Sequence, residues 1–166
     1  RRNRIEIRWN PRGPLPTLVS RPQDIESALM NLVSNGIDAT PPGGSVTIMA
    51  APAARGSQAG LEISVIDTGS GIPQSVLPRI FDPFFTTKPV GKGTGIGLAL
   101  TRQAVESLAG RIEVRSAEGI GTTMRIWLPL VPPEGSTASA APLVPDLTSP
   151  APAALTRARA NGGDST

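Results

Sequence analysis

The chain contains no cysteine, no histidine and no tyrosine, and aromatic residues make up only 3% of it. Without thiols, neither disulfides nor thiolate metal sites can hold the fold, so stability must come from packing alone. That absence suits a cytoplasmic setting. No run of about 18 apolar residues exists, and the opening RRNRIEIRWN lacks the apolar stretch of a signal peptide. The chain therefore reads as soluble. Its start without Met reads as a piece cut from a longer protein, in whose other parts any membrane attachment would lie. Sixteen basic against thirteen acidic side chains leave a formal charge of only +3. Five arginines fall within the first twelve residues, without the repeated aromatic interleaving of a nucleic-acid surface. A solvated strand edge is expected there, and no nucleic-acid partner.

What is present divides the chain in two. Residues 1–130 carry apolar periodicity and are expected to fold as one domain. Residues 131–166 (VPPEGSTASAAPLVPDLTSPAPAALTRARANGGDST) are rich in Pro, Ala, Ser and Thr. Such a segment buries too little to offset its ordering entropy, so a flexible tail is expected.

Within the first part, IEIRW at 5–9 alternates like a half-buried strand and NPRGPLPT breaks it. Ser20 and Gln23 have the spacing of a capping box, opening a helix to about Thr40 with Ile25, Leu29, Leu32 and Val33 on its apolar face. SVTIMA and LEISVID read as an antiparallel hairpin around a loop at 51–60. GIGLALTRQAVESLAG reads as a second helix, with Ile96, Leu100, Ala104 and Leu108 in one stripe and Gly110 past its end. RIEVRSA and TTMRIWLPL flank the turn EGIG as a last hairpin. This order predicts an α+β fold, a two-layer α/β sandwich in which helices cover one face of a mixed, mainly antiparallel sheet.

Four clusters suggest chemistry. On the first helix Asn31, Asn35 and Asp38 fall at i, i+4 and i+7 on one stripe. A solvated face explains them, and so does magnesium, which takes few hard protein oxygens and keeps water and phosphate in its other positions. Asp67 ends a strand before Gly69 and Gly71. It suits an Asx-type turn, or a carboxylate that accepts a hydrogen bond from the exocyclic amine of a flat ring. Gly91, Gly93, Gly95 and Gly97 alternate into a helix start, the place where free amides and the helix dipole favour phosphate. Neither the P-loop nor the dinucleotide spacing fits, and a structural loop remains open. Between these lie all three phenylalanines, Phe81, Phe84 and Phe85. They suit a core cluster or the base of a mobile lid, from which Lys88 and Lys92 could reach polyphosphate oxygens.

Taken in order, the four clusters resemble the GHKL ATPase superfamily, and more narrowly the catalytic and ATP-binding domain of sensor histidine kinases. NLVSNGIDA is similar to its N box, DTGSGIP to the G1 box, FDPFF to the F box and GTGIGLAL to the G2 box. GIGTTMRIWLP is similar to its closing hairpin. The likeness covers about residues 4–130.

The resemblance implies that Asn35 ligates magnesium, that Asn31 supports the metal and phosphate side, and that Asp38 belongs to the nucleotide-binding set. Asp67 would read the adenine amine, Gly69, Gly71 and Ile72 line the base pocket, and Thr122 reach the base through water. Phe81, Phe84 and Phe85 would hold the lid base. The lid and loop residues Thr87, Lys88, Gly91, Lys92, Gly93, Thr94, Gly95, Ile96, Gly97 and Leu98 would meet the triphosphate, with Asn31, Asn35, Lys88 and Lys92 serving transfer. The short lid looks most like the nitrogen-regulation type. ATP and Mg2+ are the implied cofactors. The implied partners are a histidine-bearing dimerisation domain of the same parent and a response regulator.

The superfamily's ATPases place Glu one turn before the magnesium Asn, where this chain has Asn31. An amide cannot act as a general base on water, so the γ-phosphate would be kept for a protein nucleophile. Since the chain has no histidine, that acceptor must lie elsewhere. A serine kinase of the anti-sigma type, which usually keeps the Glu, and a nucleotide-sensing module without transfer activity are the alternatives.

Overall fold

The computed structural model describes residues 4–89 and 93–131; Gly91, Lys92 and the expected tail from 132 onward lie outside them. Strand β1 (Glu6–Pro11) leads through a loop to helix α1 (Pro22–Ala39). The hairpin β2 (Ser45–Arg55) and β3 (Gln58–Asp67) follows, then a single 3-10 turn at Leu77–Arg79 and helix α2 (Gly97–Ser107). The hairpin β4 (Arg111–Ala117) and β5 (Gly121–Pro129) closes the domain. The sheet order is β1-β2-β3-β5-β4. Only β1 and β2 pair in parallel, as the α1 crossover between them requires. The other three pairings are antiparallel, so the sheet is mixed as expected.

Alternation along β3 and β5 sends Val65, Met124, Ile126 and Leu128 to one face, where they meet Ala28 and Leu32 of α1, Val105 of α2 and Leu108 just past its end. Leu32 is 2% exposed, so truncating it to alanine would cost about 2–5 kcal/mol. On the opposite face the Trp127 indole lies under the Arg55 guanidinium, 5.7 Å from the ring centroid. Its Nε1–H donates to the Ala53 carbonyl.

Three local expectations are corrected. No capping box forms: Arg21 is the N-cap, without a side-chain cap bond, and Pro22 takes the first helical position, which suits its fixed φ and missing N–H. The β2–β3 loop is not ten residues long, because pairing continues to Arg55 and Gln58 and leaves only Gly56 and Ser57 as the turn. Pro52 is tolerated since β1 ends opposite Ala50, so at Pro52 the outer edge of β2 is free and no ladder bond is lost. On α2 the buried residues are Thr101, Ala104 and Val105, followed by Leu108, while Ile96 and Leu100 stay half-buried. Gly110 does lie past the end of α2, where Ala109 takes the left-handed position with φ 57.

Candidate functional site

The C-terminal half of α1, the far end of β3, the start of β5 and the segments 71–88 and 93–98 enclose a cleft of about 540 Å3. Its two ends differ in chemistry. One end holds the Asp67 carboxylate beside Thr122 and, through Ser116, Ile72, while Val76, Ile80, Leu98 and Met124 add apolar lining. The other collects Asn31, Asn35, Asp38 and Lys88 beside the start of α2.

Asp67 is the last residue of β3 and only 8% exposed. Its Oδ1 accepts the Gly69 N–H at 2.8 Å and the Thr122 N–H at 3.1 Å. Burial pushes the carboxyl above the usual aspartate range, and these two bonds pull it part of the way back. Oδ1 is thus doubly occupied, while among the described residues no protein donor holds Oδ2. An oxygen acceptor is left on a cleft wall that also carries apolar side chains, which suits a flat ring bearing an N–H donor. Behind it, the Thr122 hydroxyl stands 2.9 Å from Ser116 Oγ, which accepts the Ile72 N–H at 2.8 Å. Strand end and pocket wall are tied through one hydroxyl.

At the polar end the Lys88 ammonium donates to Asp38 Oδ2 at 2.7 Å and to Asn35 Oδ1 at 3.3 Å. A cation therefore already rests on the Asn35 oxygen expected to ligate magnesium and on the neighbouring Asp38 carboxylate, and this hard oxygen set fits Mg2+. No group of three or more acidic, Cys or His side chains that could hold a metal occurs among the described residues. Asn31 Nδ2 donates to Thr101 Oγ1 at 2.7 Å, joining α1 to α2. α2 starts at Gly97 with no side-chain cap, so its first-turn amides remain available to an anion in the cleft that Gly97 and Leu98 line.

Most of the expected residues meet here: Thr87, Gly71, Gly93, Thr94 and Gly95 line the same cleft as Asn35 and Asp67. Others do not. Gly69 supplies an N–H to Asp67 without lining the cleft, Ile96 is the N-cap of α2, and Phe81 packs against the core. Phe85 lines the cleft. Phe84 does not anchor a lid base as expected, for its side chain is 76% exposed with φ 66. Its backbone does the joining instead, the Phe84 N–H donating to the Gly95 carbonyl at 2.9 Å. Sequence reasoning missed the apolar walls Val76, Ile80 and Met124, which look like any core residue, and the hydroxyls of Thr101 and Ser116, whose spacing carries no signal.

A family model described as histidine kinase-, DNA gyrase B- and HSP90-like ATPase matches residues 20–132. Sensor histidine kinase ZraS of Escherichia coli (strain K12) is 40% identical over 126 residues, covering 76% of this chain and 26% of its own length. Sensor kinase CckA of Brucella abortus (strain 2308) is 44% identical over 115 residues, which is 63% of this chain and 12% of that protein. The nucleotide-free catalytic domain of histidine kinase ThkA is similar in structure, with a TM-score of 0.67 at 29% identity over 77% of this chain and 80% of that one. Full-length ShkA, solved in complex with AMPPNP, gives a TM-score of 0.65 at 29% identity over 75% and 25%. The chain thus spans about a quarter of ZraS, and on sequence, fold and cleft together it belongs to the histidine kinase-, DNA gyrase B- and HSP90-like ATPase family.

Proposed function

We propose that this domain is the ATP-binding catalytic part of a two-component sensor kinase, which binds Mg-ATP and passes the γ-phosphate to a histidine outside this polypeptide. The observation that supports it most is that Asp67, Asn35, Gly93, Gly95 and Gly97 line one cleft. In this reading Asp67 Oδ2 accepts the adenine amine and Thr122 stands beside the base. The first turn of α2 and the glycines before it take the phosphates, with Lys88 released from Asp38 to join them. Asn35 and Asp38 hold the magnesium, which supplies charge neutralisation on the polyphosphate.

Transfer is an in-line displacement: an imidazole nitrogen of the acceptor forms the N–P bond, the bond from the γ-phosphorus to the bridging oxygen breaks, and ADP leaves. The protein contributes positioning rather than covalent chemistry. With an amide at Asn31 instead of a carboxylate, water has no general base there, so hydrolysis is slow. The partners are the histidine-bearing dimerisation domain of the same parent and, after it, a response regulator. The setting is cytoplasmic; no helix among the described residues is long and apolar enough to cross a membrane.

The test adds a matching histidine-bearing helical domain in trans to this chain with γ-labelled ATP. Label on that histidine is expected. Label on serine, or on no protein at all, defeats the proposal.

A further inference from the structure

Thr101 is 2% exposed and lies one turn into α2, behind the cleft rather than on its wall. Its hydroxyl stands 3.0 Å from the Gly97 carbonyl, one turn back, which accepts its single proton. With that proton committed, Thr101 Oγ1 can only accept. The group it accepts from is the Asn31 side chain, at 2.7 Å. Only the NH2 end of that amide can donate, so Nδ2 is turned inward and Oδ1 faces the other way. That other way is toward Gly97. A β-carbon on Gly97 would lie 2.3 Å from Asn31 Oδ1, so the amide lies flat against a backbone that admits no side chain. Gly97 lines the cleft, and no protein donor holds Oδ1 among the described residues.

Resting on the nucleotide reading above, we infer that Thr101 is a positioning residue: it fixes the polarity of the Asn31 amide so that an oxygen faces the cleft, one helical turn before Asn35 on α1. A flipped amide would instead aim NH2 at the cation that accompanies the nucleotide. Thr101 touches neither nucleotide nor metal; it acts through Asn31.

Binding of a fluorescent adenine nucleotide to the 166-residue chain, measured with magnesium and with chelator, tests this. Thr101→Val keeps the shape and removes the acceptor. It is expected to lower the magnesium-dependent gain in affinity on the order of tenfold and to retain the affinity in chelator. Thr101→Ser retains both. In the Thr101→Val background, Asn31→Asp offers an oxygen whichever way it turns and restores the gain. An unchanged gain in Thr101→Val, equal losses with and without metal, or no rescue by Asn31→Asp overturns the role. A wild-type chain with no magnesium gain sinks the nucleotide reading and this role with it; a wild-type gain that Thr101→Val leaves intact sinks this role alone.

Discussion

Asp67 keeps a carboxylate where water is scarce, and its two N–H bonds do not cancel the effect of burial. Because folding raises its pKa, the folded domain holds that proton more tightly than the unfolded chain, so Asp67 weakens stability at neutral pH and the penalty fades on acidification. Ligand binding runs the opposite way, since the protonated carboxyl loses acceptor strength. Adenine-nucleotide affinity, followed by calorimetry, is expected to fall as pH drops through a point above the ordinary aspartate range; a pH-independent affinity would remove Asp67 from the base site. Asp67→Asn keeps an acceptor for Gly69 and Thr122 and discards the buried charge. Its melting temperature at neutral pH should not fall, while nucleotide binding is lost. Asn35→Ala removes one hard oxygen at the polar end, and the magnesium dependence of binding is expected to shrink by about tenfold or more, read from titrations with and without the metal. The chemical identity of these residues was legible in the sequence because each is short, polar and set in an otherwise apolar or glycine-rich frame. The orientation of Asn31 was not, since it depends on a hydroxyl 70 residues away.

The end of α2 shows what an element adds. Ala109 N–H bonds to the Glu106 carbonyl and Gly110 N–H to the Val105 carbonyl, the two bonds of a Schellman motif with Ala in the left-handed place. Glycine is needed one residue later for another reason: a β-carbon on Gly110 would lie 2.6 Å from the Trp127 carbonyl oxygen. Ala109→Gly should therefore raise stability by about 0.5–1 kcal/mol, the relief of the left-handed strain less the added freedom of the unfolded chain. Chemical denaturation checks it, and a destabilised variant would contradict the assignment. Both helices and all five strands were legible from periodicity. Their edges were not: α1 starts at Pro22 without a side-chain cap, and β2 runs on through Pro52 because its outer edge is free there. Thr101 is buried on α2 where periodicity placed Leu100, since Gly97 and Asn31 satisfy its hydroxyl and remove the cost of burial.

At the scale of the whole domain, the core is shared by α1, α2 and the central strands, and the last described residues leave it: Leu130 N–H still bonds to the Ala59 carbonyl, while Val131 is 64% exposed. Deleting residues 132–166 is expected to leave the melting temperature nearly unchanged, as their composition offers little to bury; a drop of several degrees in calorimetry would show that they dock. The sequence by itself determined the α+β class, the order of elements, the absence of histidine and the residue types that line the cleft. Those follow from periodicity and composition, which act locally along the chain. Only the tertiary structure decided that Phe84 faces outward, that Lys88 rests on Asp38 and Asn35, and that Val76, Ile80 and Met124 wall the cleft. Each of these depends on groups far apart in sequence competing for one space, and no local pattern encodes which of them prevails.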